Sequence, residues 1–402
     1  MQEASTHRKP VLSVSCATHI VQDGMSSTIY VLLPVLAQAF GLSYAQVGLL
    51  KGLKSASQAV LEFGSGWLAE LVGEVRLITI GLVLAGAGYV CLAAAPNVFL
   101  ISICLLLIGA GTALHHAPSS SLIANSHGVD KRSGALGIYN ASGDIGKLVF
   151  TGGFSLAAGA GFAWYQVSLV YGALTIVAAF AIAIVARSFL SEAKLDLQTH
   201  AQTDEQEAAR GWGILNWRSF SALLTVTSID TLVQNGIFVF VAFLMLSKGL
   251  PLSVATGATV ILLAGGVLGK AGCGFLAERM GAHRAFVLIQ ILTALGLVGI
   301  IVSPSWLTLL LLFPLGAVAQ GSSSITYGFA ASLIHPKRMA RGYALLYSSG
   351  TFAAAAGPLA FGWIADGQGI ETAFYLMAVF VLLSIPPMLL LATRSGETAK
   401  TV

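Results

Sequence analysis

Apolar runs of roughly twenty residues follow one another along this chain, and they decide what it can fold into. Between Arg76 and Asp130 no charged residue occurs at all. A helix rising 1.5 Å per residue crosses the ~30 Å hydrocarbon layer of a bilayer in about twenty residues. The runs are continuous rather than alternating, which excludes a membrane β-barrel. Charged residues make up 9% of the chain, against about 25% in soluble domains. The 45 glycines suit close packing of membrane helices.

Twelve spans are predicted, at 12–40, 44–69, 76–95, 98–125, 134–159 and 165–188, then 217–247, 252–277, 284–303, 306–334, 341–364 and 370–393. Between the sixth and seventh lies SEAKLDLQTHAQTDEQEAARG, polar and without apolar periodicity, expected to be a flexible cytoplasmic linker. The expected organisation is therefore a six-helix bundle over 1–188, a linker over 189–216 and a second six-helix bundle over 217–402. The N-terminal segment VLSVSCATHIVQDG is interrupted by polar residues and reads as a retained first helix rather than a signal peptide.

The two halves repeat. GWLAELVGEVR, Gly66 to Arg76, returns as GFLAERMGAHR, Gly274 to Arg284, 208 residues later. The same shift carries His127 onto His335, Gly134 onto Gly342 and Tyr139 onto Tyr347. Several matches at one offset indicate two homologous halves, the logic of parallel-repeat transporters. Of the 21 lysines and arginines, Lys51, Lys54, Lys147 and Lys270 fall inside spans and Lys248 alone on an outer loop. All others fall on cytoplasmic loops and tails, which places both termini in the cytoplasm by the positive-inside rule.

The net charge of +4 does not point to nucleic acid, because the basic residues are scattered and form no patch. The four cysteines stand singly, with neither disulfide-framework nor zinc spacing. No phosphate-binding Walker motif is present, so ATP-driven transport is not suggested.

The repeated segment resembles the signature of the major facilitator superfamily, Gly-x-Leu-Ala-Asp-x-x-Gly-x-x-Arg, with Glu70 and Glu278 replacing the usual Asp. The resemblance covers nearly the whole chain. It implies an all-α membrane fold of 12 transmembrane helices in two pseudo-symmetric six-helix bundles, monomeric and in the bacterial inner membrane. It also implies a gating role for Gly66, Glu70, Gly73 and Arg76 and for Gly274, Glu278, Gly281 and Arg284. In that family the motif latches the bundles in the outward-facing state. The segments GTALHHAPSSS and YNASGDIGKL look most like the fosmidomycin-resistance branch of drug exporters, with its His-Pro element and a Gly-Gly-Asn-x-Gly-like stretch. Here His116 lies one residue further from Pro118 than that pattern, and Asp144 stands where Asn is expected. GKLVFTGG replaces the Gly-Pro-x-x-Gly-Gly element of drug-proton antiporters, with Lys147 in place of Pro. The branch implies proton-coupled export of small polar or anionic compounds, and the His-Pro element implies that His116 is the functional ring.

Charges inside the spans carry the functional argument. Four acids (Asp23, Glu62, Asp144, Asp230) and four lysines lie there. At roughly 2.5–3.5 kcal/mol each on insertion scales they cost on the order of 20–28 kcal/mol, so they must face one another or a water-filled pathway. His19, Asp23, Ser26 and Tyr30 share one face of the first span. The 208 shift leads to Thr227, Thr231, Gln234 and Phe238, with Asp230 beside that face and Asn235 continuing it. Lys54, Gln58 and Glu62 share a face of the second span, where Lys51 is expected to snorkel to the outer surface. Lys54 either pairs with Asp23 or attracts an anion. On the fifth span Asn140, Asp144 and Lys147 are one turn apart, forming a static salt bridge or a proton-dependent switch. Lys270 is either an anion contact or a partner for Asp230.

The expected function is a secondary transporter working by alternating access, with no cofactor beyond the proton as coupling ion. Asp23, Asp144 and His116 are assigned to proton coupling. His19, Gln22, Lys54, His116, Tyr139, Asn140, Lys147, Asp230, Gln234, Asn235 and Lys270 are assigned to substrate. The close rival is a proton-coupled symporter importing an organic anion. An intramembrane enzyme or metal protein using His19, Asp23, His115 and His116 is disfavoured, because adjacent residues on a helix point about 100° apart and HExxH is absent. A transporter of metal ions or chelates stands between these classes. No resident metal is expected. His115, on a different face from His116, is expected to be a packed residue hydrogen-bonded to a neighbouring helix, and Pro118 to bend the helix near the site.

Overall fold

The computed structural model describes residues 8–126, 129–200, 211–335 and 338–398. Fourteen helices lie among them: α1 (Arg8–Phe40), α2 (Tyr44–Val72), α3 (Glu74–Ala93), α4 (Val98–Ala113), α5 (His116–Ser126), α6 (Val129–Gly159), α7 (Trp164–His200), α8 (Trp217–Ser247), α9 (Leu252–Met280), α10 (Ala282–Val302), α11 (Ser305–Leu333), α12 (Met339–Gln368), α13 (Ile370–Leu382) and α14 (Ile385–Thr398). They make twelve passes, because α4 with α5 and α13 with α14 are single passes interrupted by one short break. Ten passes are long and apolar enough to cross a membrane by length and composition. The other two, α2 and α6, have 29 and 31 residues, but they carry the buried charges.

The break in the fourth pass lies four residues before its proline. α4 ends at Leu114, whose φ and ψ are −85° and 14°, and α5 restarts at His116. Pro118 then falls in the first turn of α5, where a missing N–H costs nothing. Pro386 and Pro387 occupy the equivalent place in α14. The expected proline bend is thus an interrupted helix, and the interruption sits at the histidines themselves.

The internal repeat is written in the backbone as well. Gly73 between α2 and α3 has φ 91° and ψ 139°, and Gly281 between α9 and α10 has φ 88° and ψ 143°. Positive φ favours glycine, which is why both copies of the motif keep one there. His127 of the repeat lies outside the described residues.

Helix α7 runs on to His200, so the first part of the expected linker is helical. Its Glu, Ala, Lys, Leu and Gln are good helix formers, and polarity alone does not end a helix. Residues 201–210 lie outside the described residues. Beyond them Ile214 bridges Ile334, and Leu215 N–H donates to the Leu333 carbonyl at 3.0 Å. The end of the linker is therefore paired with the end of α11.

Contacts divide the chain into two compact units: Met1–Thr28, Ser57–Phe150 and Ala163–Trp212 in one, Ile29–Ala56, Thr151–Phe162 and Gly213–Val402 in the other. This partition runs through α1, α2 and α6, whereas the sequence repeat divides the chain by its order. Within the first unit, α3 meets α4 at Gly81, where an added Cβ would lie 2.7 Å from the Gly111 carbonyl. Within the second, α9 and α11 approach through Gly265, Gly269 and Gly316, each against a backbone carbonyl. Phe220, Phe286, Ile325, Leu346 and Met388 form its apolar core. Lys248, the outer-loop lysine, donates to the carbonyls of Ile301 (2.8 Å) and Ser303 (2.6 Å), capping the C-terminus of α10. Large apolar side chains such as Phe99, Leu156 and Trp363 are more than 70% exposed, the surface a bilayer covers.

Candidate functional site

The charged centre of the first unit is built by three elements. α1 presents His19 and Asp23 one turn apart on one face, both buried. The α4–α5 break delivers His115 and His116. α6 supplies Tyr139, Asp144 and Lys147. α6 lies close against α1 because Gly146 faces the Ile20 carbonyl and Gly143 faces the His19 ring. A Cβ at Gly143 would stand 2.9 Å from Asp23 Oδ2.

Asp23 is the hub. Its Oδ2 lies 3.3 Å from His19 Nε2 and 3.1 Å from Lys147 Nζ, and its Oδ1 lies 3.5 Å from His116 Nε2. Lys147 Nζ also donates to Asp144 Oδ1 at 3.0 Å. Both alternatives for α6 thus share a starting geometry, in which one ammonium is divided between two carboxylates. The His19 ring stacks on Tyr139 at 3.9 Å.

One hydrogen bond fixes the tautomer of His19. Its Nδ1 lies 2.7 Å from the Tyr139 carbonyl oxygen. A carbonyl only accepts, so Nδ1 carries the hydrogen. Nε2, on the other side of the ring, lies 3.3 Å from Asp23 Oδ2 without aligned hydrogen-bond geometry.

His19, Asp23 and His116 each offer a donor atom within 4.8 Å of the others. Three such atoms are close enough for a cation to bridge. The Lys147 ammonium lies 3.1 Å from the same carboxylate, a charge that works against a divalent ion there. The expectation that His115 and His116 diverge does not hold, since the helix is interrupted between them. Both rings come within 5.5 Å of His19. Only His116 reaches Asp23. His115 is fully buried, and neither ring nitrogen has a hydrogen-bond partner among the described residues. Gln22 donates to Thr112 Oγ1 at 3.1 Å, joining α1 to α4. Asn140 is exposed, away from this centre.

The second unit holds a different polar group. Lys51 does not snorkel outward. It is 3% exposed, as is Lys54. Lys51 Nζ donates to Ser55 Oγ at 2.6 Å and Asn235 Oδ1 at 3.1 Å, and lies 5.4 Å above the Tyr30 ring. Tyr30 OH donates to the same Asn235 oxygen at 2.9 Å. Sequence reasoning passed over Lys51 because its position near the start of α2 matches that of any snorkelling lysine.

Asp230 faces the interior of its own bundle. It accepts from Ser322 Oγ at 2.7 Å and Gln290 Nε2 at 3.0 Å, and Gln290 also donates to Ser384 Oγ. It makes no ion pair with Lys270, which is half-buried on α9. Gln234 donates to the Ala319 carbonyl at 2.7 Å.

Of the two signature loops, Arg76, Glu278 and Arg284 are exposed, and they form no ion pair among the described residues. The side chain of Glu70 lies outside the described set.

The family model for the Major Facilitator Superfamily matches residues 16–272 and again 223–401. The chain belongs to this superfamily. As a major facilitator it is a multi-pass membrane protein of a transporter superfamily. The uncharacterized MFS-type transporter YfnC of Bacillus subtilis (strain 168) is 26% identical over 149 residues, 37% of this chain and 36% of that protein. The fosmidomycin resistance protein of Escherichia coli (strain K12) is 23% identical over 137 residues, 34% of each. The matched segments thus span about a third of these curated relatives. A bacterial homolog of the human lysosomal transporter Spinster, inward-facing and occupied, superposes with a TM-score of 0.76 at 16% identity over 96% of this chain and 97% of that one. Its unoccupied form gives 0.75. These two establish the major facilitator fold.

Proposed function

We propose that this chain is a proton-coupled antiporter exporting a small polar or anionic compound across the bacterial inner membrane, as a monomer with both termini in the cytoplasm. The observation that carries this reading is the buried cluster in which His19, His116 and Lys147 all reach the Asp23 carboxylate. The similarity to the fosmidomycin resistance protein supports export. Protonation joins His19 to Asp23 and leaves Lys147 to Asp144. Loss of the proton sets His19 and Asp23 against each other and draws Lys147 to Asp23. Such a redistribution moves a two-state equilibrium only if the proton binds one state more tightly than the other.

Reconstituted vesicles with an imposed pH gradient test this. Substrate is expected to move against the proton flow. Accumulation in the direction of proton flow overturns antiport and establishes the symport reading. Transport indifferent to the gradient overturns both.

A further inference from the structure

Among the described residues of the second unit, the buried Lys51 has no ion pair. Lys51 lies in the interior, yet its hydrogen-bond acceptors are the neutral Ser55 hydroxyl and Asn235 amide, and its third neighbour is the face of Tyr30. Lys54, one turn along α2 and equally buried, interacts with it electrostatically as a like charge. A buried ammonium is costly unless paired, and a second beside it raises the cost. No ion pair of Lys51 occurs within 4 Å among the described residues. Proteins keep such groups inside a membrane for function.

The hydrogen-bond partners of Lys51 are neutral and held in place. Asn235 Nδ2 donates to the Thr231 carbonyl at 3.0 Å, which orients the amide so that Oδ1 faces both Lys51 and Tyr30. One neutral oxygen therefore receives the Lys51 ammonium and the Tyr30 hydroxyl together. An oxyanion placed there accepts from the same two donors and supplies the charge that the amide lacks.

We propose that Lys51 and Lys54, with the Tyr30 hydroxyl, bind the oxyanionic group of the transported compound, a carboxylate or a phosphate-like group. This rests on the reading of the chain as an exporter of small polar or anionic compounds and narrows it to anions. It draws on none of the atoms assigned to proton coupling.

The test uses the full chain purified in detergent, with thermal unfolding followed against inorganic phosphate and against acetate at constant ionic strength in chloride. A saturable rise in Tm is expected with at least one of them, and which one acts separates the phosphate-like from the carboxylate class. The rise is lost in Lys51→Gln and Lys54→Gln and kept in Lys51→Arg. Lys51→Gln without added anion is expected to unfold no lower than the parent chain, since it removes a buried charge, so loss of the response is not loss of fold. An equal rise in the parent chain and both glutamine variants overturns the proposal, as does the absence of any saturable rise. The same variants in vesicles with a trapped pH dye keep the two readings apart. Lysine-dependent stabilisation without proton movement leaves the anion site standing and overturns proton coupling. Proton-coupled movement unaffected by Lys51→Gln does the reverse.

Discussion

At the scale of single residues, three histidines with nearly equal claims in the sequence divide their roles by what their nitrogens touch. His19 is held by a backbone carbonyl on one side and faces Asp23 on the other. His116 reaches Asp23 at 3.5 Å. His115 offers its ring to packing, 5.5 Å from His19. Proton-driven transport in vesicles is therefore expected to fall at least about tenfold in His19→Ala, the size of a lost acid–base group or more. His116→Ala should lose less, and His115→Phe should stay within about twofold of the parent. A His115→Phe defect as large as that of His19→Ala would reverse the assignment. The α1 face of His19 and Asp23 and the α6 pairing of Asp144 with Lys147 were legible from i,i+4 and i,i+3 spacing. That Asp23 joins the two groups was not, because 120 residues separate His19 from the carbonyl that orients it.

At the scale of elements, glycine at helix crossings decides how closely the charged faces meet. A Cβ at Gly146 overlaps the Ile20 carbonyl, and backbone cannot rotate away as a side chain can. Gly146→Ala is expected to destabilise the first unit by about 1–3 kcal/mol, read as a lower Tm, and to loosen the Lys147–Asp23 contact. A Tm equal to that of the parent would show that α6 shifts freely on α1. In the second unit Asp230 ties α8 to α10 and α11 through Gln290 and Ser322. Asp230→Asn keeps an acceptor and should fold normally. Asp230→Leu removes the acceptor that Gln290 and Ser322 share, leaving Ser322 to the Ala319 carbonyl and Gln290 to Ser384 with one amide N–H unpaired; that costs about 1–3 kcal/mol and should lower the unfolding temperature. Pro118→Ala is expected to change stability by less than about 0.5 kcal/mol, because the proline sits in a first turn and breaks no hydrogen bond. A large loss would return the bend to the proline.

At the scale of the whole molecule, the distribution of lysine and arginine makes a topological prediction. A single cysteine replacing Ser43, in a background with Cys16, Cys91, Cys104 and Cys273 replaced, should react with an impermeant maleimide added outside intact cells. One replacing Trp212 should react only after the membrane is opened. The opposite pattern would invert the topology and the direction of every vesicle experiment. The 208-residue repeat was visible because both copies of the turn need a glycine at positive φ, a local demand that sequence records directly.

The sequence by itself determined the solvent, the number of passes, the repeat and the presence of charged residues inside the spans. Each follows from local quantities: the length of apolar runs, helix periodicity, glycine at a strained turn and the cost of charge in hydrocarbon. Only the tertiary structure decided the partners. It interrupted the fourth pass at Leu114, which turned two diverging histidines toward one centre. It buried Lys51 among neutral oxygens where position in the chain suggested an exit to water. It also turned Asp230 into its own bundle. Pairing depends on which helix faces lie within about 3 Å of one another, and that distance is set by packing across the bundle rather than by spacing along the chain.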